Sequence, residues 1–99
     1  MLKTIYISGP MTGKENLNRE AFKNAAVALV SQGWNVVNPH DVSPGKENPA
    51  YNDYMKADLK AMLDCEALYM LDGWVDSKGA NIEHDLASQL GFEILYQSL

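Results

Sequence analysis

Four short runs rich in strand-forming residues alternate along this chain with three amphipathic helical stripes, and that alternation leaves few folds open. The first run, Lys3 to Ser8, carries Ile5, Tyr6 and Ile7, residues that suit a pleated, half-buried surface. Ser8-Gly9-Pro10-Met11-Thr12-Gly13 breaks it, because glycine and proline punctuate regular structure. A helix is predicted from Glu15 to Gln32, where Leu17, Ala21, Phe22, Ala25, Ala26, Leu29 and Val30 recur at helical spacing. Thr12 and Glu15 have the spacing of a capping box, and Gly33 stands where a helix would stop. Trp34 to Val37 reads as the second strand, ended by Asn38-Pro39-His40-Asp41. The loop from there to Pro49 is long for so small a chain, as binding loops often are. The second helix is predicted over Tyr51–Asp64, with Met55, Leu59, Met62 and Leu63 inward, and Ala67–Leu71 is the third strand. Asp72–Gly79 turns, Ala80–Leu90 is the third helix with Gly91 as its stop, and Phe92–Tyr96 is the last strand.

Strands and helices in strict alternation imply right-handed βαβ units. The expected architecture is a three-layer α/β/α domain, flavodoxin- or Rossmann-like, with a short parallel sheet of about four strands and one domain over residues 1–99. In such sheets a ligand sits beyond the carboxyl ends of the strands. The segments arriving there are Ser8–Gly13, Asn38–Asp41 and Asp72–Gly79, so the chemistry is expected in those turns and in the helix starts after them.

Composition narrows the function. A chain of 99 residues buries a modest core, and association with a second copy is expected to help it. The net charge of −5 argues against non-specific binding to nucleic acid, which needs a cationic face, but leaves room for a small anion held by a few local donors. The single cysteine, Cys65, excludes an internal disulfide and fits a reducing, cytoplasmic setting. No histidines cluster with Cys65, so no metal is expected. The N-terminus has no signal-peptide pattern and no stretch is apolar enough to span a membrane.

Three places carry candidate chemistry. The first turn sets two glycines and two hydroxyls before a helix N-terminus, an arrangement that binds anions or serves only as a turn; its spacing fits neither a P-loop nor a dinucleotide fingerprint. Glu83 falls at i of an i, i+3, i+4, i+7 stripe with Leu86, Ala87 and Leu90, which aims a carboxylate inward near the strand-end crevice. A buried charge is costly without a task, although a glutamate in an early helical turn also complements the helix dipole. Asp58 flanks the apolar stripe of the second helix; it is either an exposed charge or the second of two carboxylates meeting across a crevice, as glycosidic cleavage requires. Asp76 and Ser77 either cap the third helix or bind a sugar hydroxyl or phosphate. His40 and His84 have no evident partner.

Taken together, these residues resemble the nucleoside 2-deoxyribosyltransferase superfamily. Ile5-Tyr6-Ile7-Ser8-Gly9-Pro10-Met11 is similar to its first strand and turn. Lys56-Ala57-Asp58-Leu59 followed by Cys65-Glu66-Ala67-Leu68 is similar to its second helix and third strand. Asp76-Ser77-Lys78-Gly79-Ala80-Asn81-Ile82-Glu83-His84-Asp85-Leu86-Ala87 resembles its Gly-x-x-x-Glu-x-x-x-Ala signature. The match covers most of the chain and looks most like a small branch found in phages and bacteria.

The resemblance implies N-glycosidic cleavage or transfer on a 2′-deoxynucleoside or its 5′-monophosphate, without a cofactor. Glu83 would be the nucleophile at C1′, Asp58 the general acid and base, and Tyr6 the residue orienting Glu83. Asp76 would hold sugar hydroxyls, and Ser8, Gly9, Pro10, Met11, Ser77 and Gly79 would line the substrate or phosphate site. A homodimer or higher homo-oligomer is expected by the same analogy. The chain departs from the family at Asp85, where glycine usually stands, and in lacking an arginine in the phosphate turn. It also ends at Leu99, without the C-terminal segment that transferases use to complete a neighbour's site. These departures favour hydrolysis or binding over transfer. The rival expectation is a protein that binds a nucleotide, such as an ADP-ribose derivative or a signalling nucleotide, without turning it over.

Overall fold

A computed structural model describes residues 2–98. Its sheet has four parallel strands: β1 (Thr4–Ser8), β2 (Asn35–Val37), β3 (Ala67–Met70) and β4 (Glu93–Tyr96), in the order β2-β1-β3-β4. Three helices connect them: α1 (Arg19–Ser31), α2 (Tyr51–Leu63) and α3 (Lys78–Gln89). This is the expected flavodoxin/Rossmann-like α/β arrangement. The order reverses between β1 and β3, because the chain moves outward from β1 to β2 and then returns to the other side of β1. With right-handed crossovers, a reversal of direction puts the following helices on the opposite face. Accordingly α1 packs on one face and α2 and α3 on the other.

The alternation of side chains along a strand divides the core in two. Ile5, Ile7, Ala67 and Leu71 meet Phe22, Ala25 and Leu29 of α1. Tyr6, Leu68 and Met70 meet Met62 of α2 and Ala80 and Ala87 of α3. Asp53 starts α2 by accepting a hydrogen bond from the Ala50 amide at 2.9 Å, and Ser77 starts α3 by accepting one from the Ala80 amide at 3.2 Å.

The entry to α1 differs from expectation. A continuous helix from Glu15 does not form: Glu15–Asn18 is a separate short turn, and Asn16, Leu17 and Asn18 have φ of 50°, 55° and 60°. The left-handed region is disfavoured for side-chain-bearing residues, asparagine least so. A tertiary bond holds the segment, since Asn18 Nδ2 donates to the Pro10 carbonyl at 3.0 Å. Leu17 therefore leaves the apolar stripe and is 49% exposed, and Val30 is exposed as well. Thr12 makes no capping bond, so the expected box with Glu15 is absent. Among the described residues no helix is long and apolar enough to cross a membrane.

Candidate active site

At the carboxyl ends of the strands lies a cavity of about 950 Å³. The turn after β1 gives it Gly9, Pro10 and Met11; the turn after β3 gives Gly73, Asp76 and Ser77. From α2 come Tyr51, Tyr54, Met55 and Asp58, and from the start of α3 come Lys78, Gly79, Ala80 and Glu83. Tyr6 reaches the wall from β1. One glycine here is required by packing and a second is close to its neighbours. A Cβ on Gly9 would lie 2.7 Å from Leu71 Cβ, so the first turn closes against the end of β3 only without a side chain. A Cβ on Gly79 would lie 3.3 Å from Tyr51 Oη and 3.4 Å from Met55 Sδ, so the start of α3 lies in contact with the side chains of α2.

Asn81 shapes the third turn. Its Nδ2 donates to the carbonyls of Trp74, Val75 and Ser77 at 3.3, 3.0 and 2.8 Å. That fixes the segment before α3 and sets Glu83 one and a half turns into the helix, facing the sheet. Glu83 is 5% exposed. Tyr6 Oη donates to its Oε2 and Ser8 Oγ to its Oε1, each at 2.7 Å. Burial raises Glu83 from the ordinary glutamate value to about 7; the Ser8 and Tyr6 hydrogen bonds oppose that rise and the charge of Asp58 adds to it. Burial also raises Asp58, to about 6. The Tyr6 phenol is driven far up, chiefly by burial and then by the Glu83 and Asp58 charges, so it remains a donor.

The structure thus brings Tyr6, Asp58 and Glu83 to one cavity, with Gly9, Pro10, Met11, Asp76, Ser77 and Gly79 on its walls. Ser8 is the correction. It was expected to bind substrate, but its side chain is 1% exposed, lies behind the wall and bonds Glu83. The inward face of β1 that carries Tyr6 carries Ser8 too, and that alternation was the signal that could have found it. Ser77 both lines the cavity and caps α3. Asp85, which follows Glu83 by two residues, is exposed; the negative charge acting on Glu83 is that of Asp58.

Sequence reasoning missed the basic residues. Lys14 lines the cavity just after the first glycine turn, and Arg19 lines it where the left-handed turn leads into α1. Lys78 also lines it, with its ammonium 5.5 Å from the centre of the Tyr51 ring. The two histidines have found neighbours. His40 lines the cavity, sits edge-on to Phe22 with ring centres 4.8 Å apart, and is shifted down by burial and by Arg19. His84 is stacked on Trp74 at 4.4 Å, and its Nε2 is 2.8 Å from Tyr96 Oη. Among the described residues no three side chains of His, Cys, Asp or Glu form a cluster able to hold a metal.

Two carboxyl groups with raised and different proton affinities, in a concave site rimmed by cations and two tyrosines, can donate and accept a proton beside a bound anion. No curated protein matches the chain. The family model described as Domain of unknown function (DUF4406) matches residues 3–96, nearly the whole length, and the chain therefore belongs to that family.

Proposed function

We propose that this protein breaks the N-glycosidic bond of a 2′-deoxynucleoside or its 5′-monophosphate, in the manner of the nucleoside 2-deoxyribosyltransferases that its sequence resembles. The observation that carries this reading is Glu83: a buried carboxylate, held by donors on both oxygens, in the same cavity as a second carboxyl group at Asp58. In this mechanism Glu83 attacks C1′, the C1′–N bond breaks with its electron pair going to the base, and Asp58 gives the base a proton. Water or an acceptor base then bonds C1′ and gives its proton to Asp58, while the C1′–oxygen bond to Glu83 breaks and its electron pair returns to the carboxylate. Tyr6 orients Glu83, Asp76 meets the sugar hydroxyls, and the turns at Gly9–Met11 and Ser77–Gly79 hold the sugar or its phosphate. Lys14, Arg19 and Lys78 favour the 5′-monophosphate, because they gather positive charge at the cavity of a chain whose net charge is −5. No cofactor is needed, and the proposed working form is a cytoplasmic homodimer or higher homo-oligomer.

One observation favours a second reading, nucleotide binding without turnover. With Glu83 raised to about 7, much of it is protonated near neutrality, and a protonated carboxyl is a hydrogen-bond donor rather than a nucleophile. A chromatographic assay separates the two. The protein is incubated with the four 2′-deoxynucleosides and their 5′-monophosphates, with and without free acceptor base. Base release or exchange that disappears in Glu83→Ala supports cleavage, and dependence on the acceptor separates transferase from hydrolase. Binding of a monophosphate with no release from any substrate selects the second reading.

A further inference from the structure

Glu83 is gripped unequally. Both donors are buried, Tyr6 at 0% and Ser8 at 1% exposure; of the two, Tyr6, which holds Oε2, borders the cavity wall, and Ser8, which holds Oε1, lies behind it. Oε2 is therefore the oxygen held from the cavity wall and Oε1 the oxygen held from behind it. Among the described residues the Ser8 hydroxyl has Glu83 Oε1 as its hydrogen-bond partner. A buried hydroxyl is costly without a partner, and the neighbouring strand fills this layer with Leu68 and Met70. An apolar side chain at position 8 would serve packing alone.

We propose that Ser8 is a positioning residue that fixes the inward oxygen of Glu83, so that Oε2 is the oxygen that bonds the sugar. The inference rests on the glycosidic reading and adds the division of labour within the carboxylate. A terminal carboxylate torsion is broad when free; donors on both oxygens set its plane. In the attack, Oε2 forms the bond to C1′ as the C1′–N bond breaks, the electron pair leaves with the base, and the proton of Asp58 goes to the base. Oε1 becomes the ester carbonyl and still accepts from Ser8. In the second step the water oxygen bonds C1′ as Asp58 takes the water proton, the C1′–Oε2 bond breaks, and its electron pair returns to a carboxylate that Ser8 has held in place throughout.

The test reads Glu83 directly. In protein labelled with 13C at glutamate carboxyls, the Glu83 resonance is identified by its loss in Glu83→Gln and titrated without substrate. Ser8→Ala should raise the midpoint by about one pH unit, Ser8→Cys, a weaker donor, by less, and Ser8→Thr, which keeps the hydroxyl, should restore it. With substrate, Ser8→Ala should lower kcat by about tenfold and leave KM within about twofold. A folded Ser8→Ala protein with an unmoved midpoint overturns the proposal, as does a loss confined to KM. A shifted midpoint in a protein whose wild type releases no base would instead remove the glycosidic reading, leaving Ser8 in control of the Glu83 charge alone.

Discussion

The two faces of the sheet are built from the same strands and have different contents. Toward α1, β1 offers Ile5 and Ile7, and the buried residues they join are hydrocarbon, with Phe22, Ala25 and Leu29 opposite. Toward α2 and α3 the alternate residues of that strand are Tyr6 and Ser8, and both spend their hydroxyls on Glu83. One face supplies stability through burial. The other gives up part of that burial to keep a carboxylate where its charge is disfavoured. The difference teaches where to look for function in a small parallel sheet: on the face where the strand alternation turns polar close to its carboxyl end.

Substitutions on the two faces should therefore fail differently. Glu83→Ala should reduce base release by about three orders of magnitude or more, because it removes the bond-forming group, while far-ultraviolet circular dichroism remains that of the folded protein. On the other face, Leu29→Ala should cost about 2–5 kcal/mol in urea unfolding, with kcat unchanged in the folded fraction. A large kcat loss in Leu29→Ala would break the separation of the faces.

The pH dependence of stability sharpens it. Glu83 moves from 4.5 to about 7 on folding, so the folded state holds the proton more tightly than the unfolded one. Its contribution is fully present below pH 4.5 and is lost as pH rises through 7. From those two values, wild type should lose about 3 kcal/mol relative to Glu83→Gln between pH 4.5 and pH 8. Denaturant unfolding of the pair across that range checks it, and a constant gap would mean that Glu83 is better solvated than its burial implies. The smallest effect is on the rate profile. One group of the carboxyl pair must be protonated and the other ionised, so kcat/KM should be bell-shaped with limbs at about 6 and about 7. In Asp58→Asn the residual activity should lose the alkaline limb.

Much of this is legible in the sequence. β1, β2 and β4 carry β-branched residues between turn signals, β3 lies in a continuous apolar run, and Glu83 shows its inward direction by falling on the Ala87 side of the α3 stripe. What escaped was tertiary. Asn16, Leu17 and Asn18 look like any helix start, and they are left-handed because Asn18 finds the Pro10 carbonyl. Arg19 reaches the cavity beyond that turn, so its spacing from the first glycines carried no signal. The Ser8–Glu83 bond joins residues 75 apart, and a hydroxyl in a strand-end turn reads equally well as a ligand contact. His84 seemed solitary because Trp74 and Tyr96 meet it from a turn and from the edge strand.

Whether Glu83 bonds C1′ is written in the stereochemistry of the product. With the deoxynucleoside or monophosphate that gives the fastest base release, and methanol as acceptor, proton NMR reports the anomer of the methyl deoxyriboside as it forms. Two displacements through a Glu83 ester predict that the configuration of the substrate is retained. An inverted anomer, or a product that still forms in Glu83→Ala, would contradict the account.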